Sequence, residues 1–365
     1  MNNTSENKKI HNQQSLSSKR GKALPQLNSD NAKFAVVFTI TLAVLIITFL
    51  TSLAVGRYSI PLTDVIKIIF AKIMPMAQYG ENIENAVIFN LRLPRTVVAV
   101  IIGGALALSG ATYQSIFKNP MCSPDLLGVS SGACVGAASA ILLGAGSAMI
   151  QLSAFVGGIL TVALTVTIPR LMRNESTTVL ILSGIVVGNL MSSIMSIIKF
   201  VADTDTELAE ITYWMMGSFA TVKFEEILSV LPSILIPVAV ILLMRYRLNV
   251  LSLGDNESRS LGINLQKTRG LFIICSTLIS ASCVCLAGTI GWVGLVIPHT
   301  ARMIVGSDNK KMLPVAVVLG GAFMLVIDIL CRTLTPAELK IGILTGIIGA
   351  PFFILILIKQ NRNLT

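Results

Sequence analysis

The chain has 365 residues, of which 53% are hydrophobic and only 13% carry a charged side chain, and its net charge is +10. Soluble domains usually contain about 25% charged residues, so this composition argues against an ordinary soluble domain and favours a membrane protein. A strongly basic chain can also indicate nucleic-acid binding, and the distribution of its basic residues decides between these explanations.

The chain begins with a polar segment, residues 1–33. It contains six lysine or arginine residues among asparagine, serine and glutamine, and it lacks the apolar residues that a core requires, so we expect a disordered tail. The apolar run that follows, residues 34–55, is longer than the roughly 7–15 apolar residues of a signal peptide. We interpret it as a retained membrane span.

Ten apolar segments are long enough to cross a membrane, which takes about 20 residues each. They begin near Phe34, Thr96, Leu126, Ala148, Val179, Ile227, Thr268, Gly291, Leu313 and Ile341. Glycine is frequent within them, as in "IIGGALALSGA", and small residues let membrane helices pack closely. The sequence therefore predicts an all-α membrane protein in which residues 34–359 form a transmembrane domain of ten helices.

The basic residues indicate the direction in which these spans run. With ten spans and a cytoplasmic N-terminus, 19 of the 28 lysine and arginine residues fall in cytoplasmic segments. An excess of basic residues on the cytoplasmic side is the rule that orients membrane proteins. We therefore predict that both termini are cytoplasmic and that topology, rather than a nucleic-acid partner, accounts for the positive charge.

Three segments between the spans are long. Residues 57–95 are external and contain "LTDVIKIIF", which is typical of an amphipathic helix at the membrane surface. Residues 203–226 are external and acidic, and the aromatic residues of "ITYWMMGSF" suit the headgroup region. Residues 245–269 are cytoplasmic, and Asp255 as an N-cap with Gly262 as a terminating glycine predicts a short polar helix. A solvated loop is the alternative.

Several kinds of chemical site are missing from the sequence. It has no phosphate-binding loop of the form G-x-x-x-x-G-K-[ST], so we do not expect this chain to hydrolyse ATP. Its six cysteines and two histidines lack the spacing of a metal site. We predict no catalytic residue, metal or cofactor. Few acidic residues lie within the spans, which disfavours an ion-driven carrier, although a sodium site built from carbonyl groups would leave no such trace.

Five sequence blocks, in order, resemble a known family. They are "RLPRTVVAVIIGGALALSGATYQSIFKNPMCSPDLLGVSSGA", "YWMMGSF", "LSLGDNESRSLGI", "GTIGWVGLVIPHTARMIVGSD" and "ELKIGILTGIIGAPFFILIL". They are similar to the FecCD-type, or BtuC-like, permeases of ABC importers for iron-siderophores, haem and cobalamin. The resemblance covers nearly all of the chain from about residue 35 to residue 359.

The resemblance implies an assembly as well as a fold. Members of this family have the ten-helix fold of type II ABC importers, and two permease subunits, either copies or paralogues, form a central pathway through the bacterial plasma membrane. A cytoplasmic ABC ATPase dimer drives transport from one side, and an extracytoplasmic substrate-binding lipoprotein delivers the cargo on the other. The expected partners of this chain are therefore those proteins and the membrane lipid.

The resemblance also assigns a role to three arginines. In related importers, the arginines of the "RLPR" block and one at the end of the ninth span meet glutamates of the binding protein. The matching residues are Arg92, Arg95 and Arg332, and a guanidinium suits this task because it forms bidentate, charge-assisted bonds with carboxylates. Without the resemblance, Arg92 and Arg95 would be interpreted as snorkelling to the headgroups. Pro94 is expected in the first helical turn.

The remaining site residues are implied in the same way. Segment 252–264 resembles the coupling segment that rests on the ATPase, and its candidate contacts are Asp255, Glu257, Ser258, Arg259 and Leu261. Two further segments resemble those that narrow the inner mouth of the pathway, through Asn119, Met121, Thr177 and Thr178. For these four residues, ordinary loops with helix caps are the alternative interpretation.

These observations together predict the permease subunit of an ABC importer that carries an iron chelate, with an Fe(III)-siderophore as the favoured cargo. A chelated ion needs no protein ligand, which agrees with the lack of a metal site in the sequence. The same architecture carrying haem or cobalamin is the first alternative. An ion-coupled secondary transporter is the alternative from another class.

Overall fold

The computed structural model describes residues 31–73, 82–174 and 176–362. Within these ranges the regular structure is helical, with a π-helical segment at Val87–Arg92 and a 3-10 turn at Pro124–Leu127. The α-helices are α1 (Asn31–Ala54), α2 (Leu62–Ile73), α3 (Asn82–Ala86), α4 (Leu93–Phe117), α5 (Val129–Leu142), α6 (Ser147–Leu171), α7 (Thr177–Val201), α8 (Glu207–Met215), α9 (Phe224–Leu243), α10 (Arg245–Leu253), α11 (Asp255–Ser260), α12 (Leu265–Ala287), α13 (Val293–Val305), α14 (Asn309–Thr333) and α15 (Ile341–Arg362). Residues 1–30 of the predicted tail lie outside the described residues.

Each of the ten predicted spans corresponds to a helix, but the helices are not equally long. Seven of the described helices are long and apolar enough to cross a membrane, and the shorter apolar ones are α5, α13 and the Ile341–Leu355 part of α15. A helix of 13 or 14 residues covers only about 20 Å, less than the hydrocarbon core of roughly 30 Å. The expected length of about 20 residues per span is therefore wrong for α5 and α13.

Helix α4 lies at the centre of the bundle, where α12, α13 and α14 pack around it. Two close approaches need glycine on both helices. A Cβ atom added to Gly103 would lie 2.3 Å from the carbonyl oxygen of Gly320 on α14, and one added to Gly110 would lie 1.9 Å from that of Gly294 on α13. Glycine at these positions lets the backbones touch, which is how membrane helices gain packing energy in lipid.

Pro94 lies in the first turn of α4, as expected, but the helical chain does not begin there. The chain is already helical from Asn82, and it passes through the π-helical segment Val87–Arg92 directly into α4. The backbone N–H of Leu93 donates to the carbonyl oxygen of Ile88, five residues earlier. Proline lacks an N–H and its ring clashes with the preceding turn of a regular helix, so the wider π turn accommodates Pro94 inside a continuous helix.

The polar connections gather at the two ends of α4. Arg95 and Ser115 are separated by 20 residues of this helix, which corresponds to about 30 Å. At the Ser115 end, the Ser115 hydroxyl donates to Asn309 Oδ1 at 3.0 Å, and the Asn309 N–H donates to Asn249 Oδ1 at 2.8 Å. We call this the asparagine end and the opposite one, around Arg92, Arg95 and Arg332, the arginine end.

The amphipathic segment after the first span is a helix, as predicted. Val65 and Ile68 on one face of α2 are buried in a small cluster with Leu53 of α1. Leu62, Ile66 and Phe70 are exposed and lie four residues apart, so they form a second apolar stripe. An exposed apolar stripe on a helix suits a position at the membrane surface.

The C-terminal end of α1 is held by two arginine side chains. The Arg92 Nη1 atom donates to the carbonyl oxygens of Leu53 at 2.7 Å and Ala54 at 2.9 Å, and Nη2 donates to that of Tyr58. Arg332 donates to the carbonyl oxygen and the hydroxyl of Ser52, at 3.2 and 2.8 Å. The last carbonyl groups of a helix lack intrahelical partners, so these guanidinium groups complete the end of α1.

A buried carboxylate links two of these arginines. Asp328 on α14 is fully buried, with Oδ1 at 2.7 Å from Arg95 Nε and Oδ2 at 3.1 Å from Arg332 Nε. The Nη1 atom of Arg95 also lies 2.9 Å from Oε2 of Glu338, in the loop before α15. The arginine end thus combines three cations with two carboxylates, and the network joins α1, α4 and α14.

We expect Asp328→Asn to lower the free energy of unfolding by about 3–5 kcal/mol, because two buried guanidinium groups lose the negative charge of their shared partner. Thermal unfolding of the purified protein in detergent would measure the change. Asp64→Asn is the control, because Asp64 lies 3.6 Å from Lys67 on partly exposed α2, where such a pair contributes at most about 1 kcal/mol. Equal melting temperatures for wild type and Asp328→Asn would contradict the assigned role.

Candidate functional site

The three arginines predicted to dock a binding protein lie together, but their side chains are buried. Arg92 is 5% exposed, Arg95 is 8% exposed and Arg332 is 6% exposed. Their guanidinium groups already bind the end of α1 and the carboxylates of Asp328 and Glu338. A partner's carboxylate would have to displace one of these groups. Docking through the arginines stays a prediction, whereas their internal bonds are observed.

Two further charged groups at the arginine end are Arg57, which is exposed, and Glu338, which is partly exposed, and sequence reasoning missed both. Arg57 is exposed and donates to the carbonyl oxygen of Pro336. Glu338 has a backbone φ of +51°, which non-glycine residues seldom adopt, and its side chain is partly exposed beside Arg95. Sequence spacing gives no signal for either contact, because Arg57 lies 279 residues from Pro336 and Glu338 lies 243 residues from Arg95.

The predicted cytoplasmic helix is present as α11, at the asparagine end. It is shorter than two turns, with Gly254 and not Asp255 at the N-cap position, so Asp255 is the first helical residue. Gly262 has φ +76° and its N–H donates to the carbonyl oxygen of Arg259, while Ile263 donates to that of Ser258. These two bonds form a Schellman motif, which confirms the role predicted for Gly262.

The residues of α11 that resemble ATPase contacts do not share one environment. Glu257 and Arg259 are exposed, and Leu261 is 59% exposed although it is apolar. Ser258 is fully buried, and its hydroxyl donates to the carbonyl oxygen of Val250 on α10 at 2.7 Å. Ser258 therefore fastens α11 to α10, and its neighbours present charge and one apolar side chain outward.

The four residues predicted to narrow the inner mouth lie at the ends of α4 and α7. Asn119 and Met121 are exposed, and Asn119 Oδ1 accepts the N–H of Met121 at 2.9 Å, which fixes the turn. Thr177 and Thr178 open α7, whose N-cap is Ser176 with its hydroxyl accepting the N–H of Val179 at 3.3 Å. The helix-capping role belongs to Ser176, so capping does not account for the two threonines.

A recess that contains an acidic residue lies next to the turn after Met121. Asp125, in the 3-10 turn, is exposed although it is surrounded by α4, α5, α12 and α13. The hydroxyl of Ser130 donates to its carboxylate, and Ser123, Ser280 and Trp292 also line the recess. The described residues that line it include this one acid and no base. In the sequence, Asp125 is an acid directly before the third apolar segment.

No group of three or more His, Cys, Asp or Glu residues within the described ranges has the geometry of a metal site. The six cysteines are buried and free, and His299 is buried on α13. The six cysteines and His299 are therefore buried side chains of the protein interior.

Comparison with known proteins identifies the architecture. Residues 44–359 match the FecCD transport family. The chain is 37% identical to the molybdate import system permease protein MolB of Haemophilus influenzae, over 90% of this chain and 96% of that protein. It is 38% identical to a probable iron chelatin transport system permease protein of Helicobacter pylori, over 76% of this chain and 84% of that protein.

A solved structure supports the same assignment. The chain is 35% identical to a metal-chelate type ABC transporter in an inward-facing conformation, with a TM-score of 0.81, covering 89% of this chain and 99% of that one. The all-α type II importer fold and the role of a transport subunit, with ATP hydrolysis by a separate ATPase, follow from these matches. This multi-pass membrane protein belongs to the FecCD transport family and is a permease of an ABC importer.

Proposed function

We propose that this chain is one of two permease subunits that carry an iron chelate, most specifically an Fe(III)-siderophore, across a bacterial plasma membrane. Its arginine end faces outward and its asparagine end, with both termini, faces the cytoplasm, as the excess of basic residues on that side supports. Residues 34–359 form the translocating domain, although the first span begins three residues earlier than predicted, at Asn31, and the residues before it lie on the cytoplasmic side.

The choice of cargo rests on the acidic recess at Asp125, which we propose faces the translocation pathway. Molybdate is an oxyanion, and a pathway for it should not offer an exposed carboxylate without a basic residue beside it, because like charges at short range raise the energy of passage. A bulky chelate in which organic groups surround the metal does not suffer that repulsion if its net charge is neutral or positive. The recess follows directly after Asn119 and Met121, which we propose line the inner mouth with Thr177 and Thr178.

Uptake by the complete importer in proteoliposomes tests the proposed cargo. With the binding protein outside and ATP inside, we expect accumulation of a ferric siderophore and no comparable accumulation of molybdate, haem or cobalamin. Inactivating the ATPase should abolish uptake, and dissipating the proton gradient should leave it unchanged. ATP-driven accumulation of one of the other cargoes without the ferric siderophore would overturn the proposal.

We propose that segment 252–264 transmits ATPase motion to the spans through Asp255, Glu257, Arg259 and Leu261, with Ser258 holding the segment in place. The supporting geometry is a rigid, capped α11 that is bonded to α10, which packs against α4 and α14. A push on α11 therefore reaches the central helix of the bundle through direct contacts.

Leu261→Asp should reduce ATP-driven uptake by about tenfold or more, since it replaces an apolar contact worth roughly 1.5–3 kcal/mol with a charge. The fold should persist, because the Leu261 side chain is exposed. Leu261→Met is the matched control, which keeps the contact apolar and should retain uptake. Normal uptake and normal ATPase association in the Leu261→Asp variant would count against this coupling role.

We propose that the extracytoplasmic binding protein docks at the arginine end. Its acidic residues would compete with Asp328 and Glu338 for Arg92, Arg95 and Arg332, and access is easiest at Arg95, whose partner Glu338 is partly exposed. Arg57 lies exposed beside them and adds positive charge to the same surface.

Arg95→Gln is expected to weaken binding of the binding protein about 30-fold or more, since it removes one half of a close charge pair. Affinity for the binding protein and thermal stability should be measured on the same nanodisc sample. Exposed Lys223 provides the control, and Lys223→Gln should change neither quantity. If Arg95→Gln lowers the melting temperature but leaves the affinity of the folded protein for the binding protein unchanged, Arg95 stabilises the fold and does not take part in docking.

A further inference from the structure

A groove between α6 and α12 belongs to none of the sites described above. Its lining residues recur every third or fourth position, from Ile159 to Arg170 on α6 and from Gly270 to Leu278 on α12, and it encloses about 270 Å³. Ligand pockets for small molecules usually enclose roughly 300–1,000 Å³, so this groove is too narrow for a bulky metal chelate and is unsuited to be the transport pathway.

The surface of the groove is mostly apolar. The Thr167 hydroxyl donates to the carbonyl oxygen of Ala163 at 2.7 Å, and the Thr277 hydroxyl lies 3.4 Å from that of Tyr113, so both polar groups are satisfied within the protein. Leu160 and Ile274 beside the groove are exposed. In a multi-pass membrane protein, an open apolar surface of this kind faces either lipid or another subunit. The length and the charge of the groove favour lipid.

Its length matches one leaflet of a bilayer. The 11 residue steps from Ile159 to Arg170 correspond to about 16 Å along a helix. Half of a hydrocarbon core of roughly 30 Å is about 15 Å. The groove therefore runs from the level of the headgroups towards the middle of the membrane, along the direction of an acyl chain.

Arg170 is the one charged residue among the described residues that line the groove, and it lies at its mouth. Arg170 is exposed in the last turn of α6, and none of the described residues forms an ion pair or hydrogen bond with its guanidinium group. A guanidinium binds phosphate in a bidentate, charge-assisted manner. This mouth lies at the asparagine end, where α12 begins, and the cytoplasmic leaflet of membranes is the one that carries negative surface charge.

We propose that the groove binds one anionic phospholipid, with an acyl chain between α6 and α12 and the headgroup phosphate on Arg170. The site rests on the membrane nature of the chain and not on which cargo it carries. The choice of an anionic headgroup rests in addition on the proposed cytoplasmic position of the asparagine end. A bound chain fills the space between the two helices and holds α6 against the core.

Gly270 offers a way to close the groove without disturbing the fold. A Cβ atom added there meets no other atom within 4 Å, so Gly270→Leu places its side chain in the open mouth and also favours the helix. Gly188 on α7 is equally open, and Gly188→Leu is the matched control away from the groove. Arg170→Gln removes the charge, and Arg247→Gln is its control, because Arg247 is exposed at the same end.

Native mass spectrometry of the full-length chain, released from nanodiscs of phosphatidylglycerol and phosphatidylcholine, would count the retained lipids. We expect one tightly held phosphatidylglycerol on wild type and on both controls, and its loss from Gly270→Leu. Arg170→Gln should lower the preference for phosphatidylglycerol over phosphatidylcholine about 5-fold, the effect of one basic residue at a membrane surface.

Two results would overturn the proposal. If Gly270→Leu retains as much lipid as the wild type, the groove is not the binding site. If Arg170→Gln keeps the lipid preference of the wild type, Arg170 does not bind the headgroup. If Gly270→Leu instead alters association between protein subunits at constant lipid retention, the occupant is another polypeptide. None of these outcomes depends on transport of a ferric siderophore.

Discussion

A helix that ends near a membrane must satisfy its last carbonyl groups, and the arginine end of this molecule is organised by that requirement. Helix α1 is loosely attached along its length, with only 6% of its most apolar stretch buried. At its C-terminal end, Arg92 and Arg332 bind the carbonyl oxygens of Ser52, Leu53 and Ala54. Two guanidinium groups thus hold a helix that apolar packing holds only weakly.

Placing these cations inside the protein creates the need for Asp328. Three buried guanidinium groups repel one another, and a fully buried carboxylate between Arg95 and Arg332 offsets that repulsion at short distance. The same bonds join α14 to α4 and to the end of α1. If a binding protein supplies competing carboxylates, the attachment of α1 changes together with docking, so recognition outside and helix position inside share one set of bonds.

Hydropathy was sufficient to find all ten membrane helices, because a span needs a long apolar run whatever its tertiary contacts. It failed on the lengths of α5 and α13, since segments buried within protein need not cross the whole membrane. Gly262 could be predicted because a left-handed residue at a helix end has a local signature. The π-helical turn before Pro94 could not be predicted, because it depends on the bond to the carbonyl oxygen of Ile88. The inward direction of Arg95 could not be predicted either, because its partner Asp328 is 233 residues away in the sequence.

The identity of the cargo is also not encoded in overall sequence similarity. Overall identity to the molybdate permease, 37%, and to the iron chelatin permease, 38%, is almost equal, although the cargoes named for those proteins differ in size and charge. Overall similarity therefore identifies the common fold and does not distinguish between these cargoes. If Asp125 faces the pathway, as proposed above, it is one side chain that could separate one cargo from another, and the binding protein is another source of selectivity. Because Asp125 is held by Ser130 in a turn that α7 covers at Gly184, a change of charge there alters the electrostatics of the recess and leaves the common fold intact.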